Sequence, residues 1–349
     1  GCFMFKLFHI SLLLFGALFQ SGARAESVLF LNPGSTQEAF WVSYSQFMQA
    51  AARDLGVDLQ ILYSRRQPEL TLAQARIALQ GPNRPDYLMF VNEQYVAPQV
   101  LRMSQGSGVK LLIVNSLPTP DQMQMLNGRN AAQWIGSLVP NDEEGGYRML
   151  KELIRQHPPV AAGEKIELLA FSGLKITPSA QFREKGMQRA LREHPEVQLR
   201  QLVYGEWTRA RAHEQAVQLF KRYPRVSLVW SANDEMAFGA MQAYEEAGGK
   251  PGKGVLFSAV NTSPEALQAL LDGRLSVLLG GHFSLGGWAL VELHDYEQGV
   301  DLDRYGGRDR QLSLLQLIDK HQAQQMLAMG ASPDYGVSFR KLSAKGHPT

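Results

Sequence analysis

The chain reads as an alternation of short apolar runs and longer amphipathic stretches. Val28-Leu-Phe-Leu31, Val57 to Leu62, Tyr87 to Val91 and Lys110 to Val114 carry the β-branched and aromatic content expected of buried strands. Between them, residues 39–55, 70–79 and 98–107 place apolar side chains at helical spacing, and Gly56 stops the first of these helices. After an interruption the pattern resumes. Strands are predicted at 166–171, 198–204, 226–230, 254–257 and 275–279, with helices at 142–156, 180–193, 210–223 and 263–271. Val226-Ser-Leu-Val-Trp230 is the clearest case. It runs into Ser231-Ala-Asn-Asp234, which supplies helix-capping groups, and then into a helix closed by Gly248-Gly249. Strand–helix alternation requires parallel sheets covered by helices on both faces. Two such series in about 325 residues predict two doubly wound α/β lobes. The tail is less regular, with a helix expected over 312–329 and a terminal strand over Gly336-Val-Ser-Phe339.

The first 25 residues stand apart from this alternation. Lys6 precedes an apolar run from Ile10 to Phe19 that is too short to span a bilayer, and Ala23-Arg24-Ala25 has the small-x-small form of a cleavage site. Residues 1–25 are therefore expected to be a signal peptide cleaved after Ala25, with export to the periplasm. The single cysteine, Cys2, would leave with it, so disulfides, thiolate metal sites and cysteine catalysis are not expected. The 35 basic residues, less Lys6 and Arg24, match the 33 acidic ones. A neutral mature chain gives no electrostatic case for nucleic acid.

No catalytic constellation stands out. His213-Glu214 has no second histidine at zinc-ligand spacing, and the adjacent His294-Asp295 diverge on a helix. Gly248 to Gly254 lacks the Ser/Thr that follows lysine in a phosphate loop and leads into a strand instead of following one. Neither an enzyme activity nor a cofactor or metal is expected. Aromatic and polar residues do recur at strand ends: Phe40-Trp41, Asn115-Ser116, Trp207, Asn233-Asp234, Asn261 and Gly280-Gly281-His282. Carboxyl ends of parallel strands are where open α/β sheets bind ligands. Flat aromatic faces suit sugar rings, and amides orient hydroxyls.

Four segments carry a resemblance to a known family: Asn32 to Trp41, Asn141-Asp-Glu-Glu-Gly-Gly146, Ser179-Ala-Gln-Phe-Arg-Glu-Lys-Gly186 and Ser231-Ala-Asn-Asp-Glu-Met-Ala-Phe-Gly-Ala240. The chain resembles type I periplasmic binding proteins of the ribose/galactose/autoinducer-2 class, whose fold is shared by LacI-type effector domains. The resemblance implies two lobes joined by a three-strand hinge, with crossings near Val139, Gly281 and after about residue 318. It assigns 26–138 plus 283–318 to the N-terminal lobe, 139–282 to the C-terminal lobe and 319–349 to a tail. It implies that Phe40, Trp41 and Trp207 sandwich a small polar ligand, while Asn115, Asn233, Asn261, His282 and a cation from Arg183 or Lys185 bond to it; Asp234 is read as the helix cap. Asn115 and Asn261 stand where ribose-like relatives usually carry aspartates. The expected function is a monomeric, carbohydrate-type solute-binding protein serving an inner-membrane permease, with a membrane sensor as the alternative partner. A LacI-like regulator is the remote alternative, disfavoured by the signal segment and the lack of a DNA-binding helical pair before Val28.

Overall fold

A computed structural model describes residues 24–126, 128, 131–305, 307–330 and 337–343. The expected signal segment up to residue 23 lies outside the described residues, as do Gly336 and residues 344–349. Among the described residues no helix is long and apolar enough to cross a membrane.

The first sheet holds β1 (Ser27–Asn32), β2 (Asp58–Tyr63), β3 (Tyr87–Phe90), β4 (Lys110–Val114), β5 (Trp134–Pro140) and, from much later in the chain, β12 (Asp309–Leu312). Its order is β12-β5-β4-β3-β1-β2, with every pair parallel. Period-two alternation divides its side chains between two cores. Val28, Phe30, Met89, Leu112 and Val114 face helices α1 (Ala39–Leu55) and α10 (Leu285–Glu297). Leu29, Leu31, Leu88, Phe90, Leu111 and Ile113 face α2 (Pro68–Gln80) and α3 (Ala97–Ser104), and the short α4 (Pro120–Met125) follows β4. The near-continuous apolar runs of β3 and β4 are explained by burial on both faces.

The second sheet contains β6 (Ile166–Ser172), β7 (Val197–Tyr204), β8 (Val226–Ser231), β10 (Gly254–Val260), β11 (Val277–Gly280) and β13 (Gln316–Leu317), ordered β13-β11-β10-β8-β6-β7; the two-residue β9 (Lys250–Pro251) pairs with β10. Only β13 is antiparallel. Helices α5 (Asp142–Gln156), α6 (Pro178–Glu193), α7 (Arg209–Arg222), α8 (Asp234–Glu246), α9 (Pro264–Asp272) and α11 (Lys320–Met329) belong to this lobe. The two-lobed parallel α/β fold agrees with the sequence reading.

The chain passes between lobes after β5, after β11 and between β12 and β13. These crossings are joined laterally. Asn141 donates to the Leu315 carbonyl at 3.2 Å and accepts from the Leu315 N–H at 2.9 Å. A Cβ on Gly281 (φ 113°) would stand 2.5 Å from the Leu314 carbonyl oxygen, so the second and third crossings touch through backbone alone.

The tail departs from expectation. Residues 312–329 do not form one helix: β12 ends at Leu312, β13 follows, and α11 starts only at Lys320, where Asp319 and Gln322 form a reciprocal capping box. The third crossing therefore lies at 312–316 and not after 318, and Gln316–Leu317 pair in the second sheet. Phe339 opens a short helix, α12 (Phe339–Leu342), in place of the expected strand. The Asp54 carboxylate accepts from the N–H groups of Phe339 and Arg340, and the Phe339 ring is buried against Phe47 and Trp288 of the first lobe.

Candidate functional site

Between the carboxyl edges of the two sheets lies a cavity of about 370 Å³. The first lobe contributes Phe40 and Trp41 from the start of α1, Arg66 from the β2–α2 loop, Glu93 after β3, and Asn115 and Ser116 after β4. The second lobe contributes Thr177, Ser179 and Arg183 around the start of α6, Trp207 from the β7–α7 loop, Asn233 and Asp234 at the start of α8, and Asn261 after β10. His282 lines it from the hinge.

The two walls are built alike. Arg65-Arg66 and Glu206-Trp207 occupy equivalent loops, each pair left-handed (φ 53° and 61°, then 56° and 68°). In each loop a glutamine of the following helix, Gln74 or Gln215, donates 3.0 Å to the carbonyl of the tyrosine ending the strand, Tyr63 or Tyr204. Asn115 (φ 71°) and Asn261 (φ 101°) form a second equivalent pair, each donating its backbone N–H at 2.9 Å to the next strand, at Leu138 and Leu279. Asparagine tolerates this left-handed conformation better than other residues with a Cβ. It thus suits a strand end where the chain must turn and still present an amide.

Charge in the cavity is held in fixed networks. Arg183, 4% exposed, donates to Asp142 Oδ1 at 2.9 Å and to the Ala232 carbonyl at 2.6 Å. Burial pushes the Asp142 carboxyl up to about 6, against the opposing pull of Arg183. Arg183 Nη2 also faces His282 Nε2 at 3.3 Å. A guanidinium only donates, so Nε2 accepts and the hydrogen resides on Nδ1. Burial first, and then Arg183, hold the imidazole well below its ordinary pKa, so it is neutral. Phe40 stacks on that ring at 4.4 Å. Across the cavity, Arg66 bonds to Glu38 at 2.7 Å and to Glu93. Burial raises the Glu93 carboxyl, with Arg66 opposing.

The lobes meet around this site. The hydroxyls of Ser116 and Ser179 lie 2.6 Å apart, and Gln181 donates to the Tyr95 hydroxyl at 2.9 Å. The guanidinium groups of Arg66 and Arg183 lie 6.0 Å and 5.7 Å from the Trp207 ring centroid. Among the described residues, four polar atoms of the lining are buried without a protein partner: Asn115 Oδ1, Thr177 Oγ1, Trp207 Nε1 and His282 Nδ1. Each such group carries a desolvation cost of about 1–3 kcal/mol, recoverable by a bound polar molecule.

A profile of the periplasmic binding protein domain matches residues 28–299. This chain belongs to the periplasmic binding protein family. Over 278 residues it is 22% identical to the ribose import binding protein of Escherichia coli, covering 77% of this chain and 84% of that relative. A shorter stretch of 119 residues is 29% identical to the galactofuranose-binding protein of the same organism, covering 33% and 37% of the two chains. The crystal structure of a periplasmic sugar-binding protein from Pseudomonas fluorescens superposes with a TM-score of 0.86 and 64% identity, over 92% of this chain and 95% of that one.

In this periplasmic binding protein, eight of the residues singled out from sequence line the cavity: Phe40, Trp41, Asn115, Arg183, Trp207, Asn233, Asn261 and His282. Lys185 does not. Two residues beyond Arg183 on α6 it points elsewhere and is exposed, so Arg183 is the cation that the fold delivers. The capping role expected of Asp234 falls to Asn233, which also lines the cavity. Asn233 is the N-cap of α8, accepting from the Met236 N–H at 2.9 Å, and its amide donates to the Trp207 carbonyl at 3.1 Å. Asp234 instead accepts from Asn261 Nδ2 at 3.1 Å and from the Ser263 hydroxyl at 2.6 Å, fixing the β10–α9 loop. Trp41 is largely core, packed on Tyr44 and reaching the cavity with little exposed surface. Sequence reasoning missed Arg66, Glu38, Glu93 and Thr177. Arg66 had a recoverable signal, since Ser64-Arg-Arg-Gln67 follows β2 as Gly205-Glu-Trp-Thr208 follows β7.

Proposed function

We propose that this periplasmic binding protein closes its two lobes over one small sugar and presents the closed form to an inner-membrane ABC permease. The observation that carries the reading is the set of four unpartnered polar atoms in the interlobe cavity. Trp207 Nε1 and His282 Nδ1 donate, Asn115 Oδ1 accepts, and Thr177 Oγ1 does either. Vicinal hydroxyls and a ring oxygen answer all of these at once. The Phe40 and Trp207 rings supply apolar faces for sugar C–H groups. A cavity of about 370 Å³ is at the small end of ligand pockets, which suits a monosaccharide better than an oligosaccharide. The 64% identity to a sugar-binding protein supports the same class.

Closure follows from two-sided contact. Asn115 belongs to one lobe and Trp207 and Thr177 to the other, so a ligand bonded to both favours the closed arrangement over the open one. The mature protein is taken to begin after Ala25, to act in the periplasm and to work as a monomer. The test is native mass spectrometry of the purified protein, followed by calorimetric titration of a monosaccharide panel containing pentoses, hexoses and furanose-rich sugars. Saturable binding of one sugar with 1:1 stoichiometry is expected. If no sugar bound while an amino acid or an inorganic anion did, the sugar reading would be wrong.

A further inference from the structure

A second cavity, of about 490 Å³, lies in the first lobe away from the interlobe cleft. Its walls come from β5, α10, β12, the crossing that follows β12, and α12. Leu138, Trp288, Leu302, Leu314 and Leu342 make it mainly apolar. Three charged residues interrupt that surface: Glu292, Asp295 and Arg310.

Glu292 is the informative one. The residue is 5% exposed, yet both of its carboxylate oxygens lack a hydrogen-bond partner among the described residues. Among the described residues Arg310 pairs with it only at a distance, with Nη1 4.0 Å from Oε2, beyond hydrogen-bond reach. Asp295 accepts from the Ser343 hydroxyl. The lining thus holds two carboxyl groups and one guanidinium. A buried carboxylate with four free lone-pair sites needs a donor-only partner, and a primary ammonium has three N–H groups and no acceptor.

We propose that this cavity is a second ligand site, which takes a small primary amine with an apolar body and seats its ammonium on Glu292. The hydrocarbon part fits among Leu138, Leu302 and Leu314, and Trp288 offers an indole beside the cation. Burial pushes the Glu292 carboxyl up to about 7, with Arg310 opposing the rise and Asp295 and Asp309 adding to it. An ammonium at the carboxylate favours the ionised form and draws it back down. Because Leu314 lies in the third crossing and Leu138 in the strand that leads to the first, an occupant touches the hinge directly. The site is thus placed to bias lobe opening without entering the sugar cleft.

The test uses the full mature chain with benzylamine as probe, benzyl alcohol as its neutral counterpart and benzoate as the anion control, followed by saturation-transfer NMR and calorimetry. Benzylamine is expected to bind at least roughly tenfold more tightly than benzyl alcohol, and benzoate not at all. Glu292→Gln should lower benzylamine affinity by roughly tenfold or more. Leu342→Trp narrows the cavity from its half-exposed wall and should block binding with the Glu292 carboxylate left in place. Equal binding of the alcohol would overturn the proposal, as would no binding by the wild-type chain or affinity unaffected by both variants. Binding that appears only after removal of residues 344–349 would also overturn it, assigning the carboxylate to the chain's own Lys345.

Discussion

Replacing Asn115 with glycine separates ligand recognition from folding more cleanly than any other change in the cleft. The Asn115 side-chain oxygen is buried in the cavity with no partner among the described residues, while its backbone N–H is bound to Leu138 at 2.9 Å. Glycine keeps that backbone bond and accepts the left-handed φ of 71° without strain, so only the amide is lost. A sugar hydroxyl that had donated to Oδ1 loses one hydrogen bond, about 1–2 kcal/mol, or a roughly 5- to 30-fold weaker Kd. Folding stability responds in the other direction. Removing an unpartnered acceptor gains about 1–3 kcal/mol, and the extra backbone freedom of glycine costs about 0.5–1 kcal/mol. The apo protein should therefore be as stable as wild type, or up to about 2.5 kcal/mol more so. Asn233→Ala gives the contrast. It removes a helix cap worth about 1 kcal/mol and the bond that anchors the Trp207 carbonyl, worth about 1 kcal/mol more, so the apo protein should lose about 2 kcal/mol. Calorimetric titration with the sugar that the monosaccharide panel identifies, beside differential scanning calorimetry of the apo forms, reads both quantities. Unchanged affinity in Asn115→Gly, or a large loss of apo stability, would refute the assignment of its oxygen to the ligand.

Trp207→Ala should weaken sugar binding by about 1–3 kcal/mol through lost ring contact and lost N–H donation; titration that finds wild-type affinity would remove Trp207 from the site. Arg183→Met leaves the Asp142 carboxyl buried without its cation and should cost about 3–5 kcal/mol in urea unfolding, and a loss below 1 kcal/mol would show the pair to be dispensable. Glu292→Gln should stabilise the apo protein in a pH-dependent way. The folded state holds the Glu292 proton more tightly than the unfolded chain does, so its carboxyl costs stability as pH rises from 4.5 to about 7, a step worth roughly 3 kcal/mol. The variant should then melt higher than wild type at pH 8 and nearly with it at pH 5, and a gain that did not grow with pH would contradict the buried, poorly partnered carboxylate.

Most of the architecture was legible because doubly wound sheets write themselves into local pattern. Strands buried on both faces appear as short apolar runs, and their helices as amphipathic stretches with visible stops such as Gly56, which takes φ 72° at the end of α1. The strand β5 escaped notice because Gly136 and Ser137 break its apolar run; its burial depends on β4 and on β12, which arrives some 170 residues later. The tail was misread for a related reason. β12 and β13 are edge strands of four and two residues, mostly polar, and only pairing with a distant strand makes them strands.

Within the cleft, strand-end position placed Asn115, Trp207 and Asn261 at one cavity from sequence, since polar residues closing parallel strands converge on one edge. The sequence alone determined the α/β class, the twofold repetition and the edge at which a ligand would bind, because each follows from local periodicity. The tertiary structure decided which polar atoms remain free. Asn233 and Asp234 are adjacent and chemically alike, yet one is committed to capping α8 and the other to Asn261 and Ser263. Lys185 and Arg183 are two residues apart on one helix, and only Arg183 faces Asp142 and His282. How much hydrogen-bonding capacity a group keeps for a ligand depends on the partners that folding brings near it.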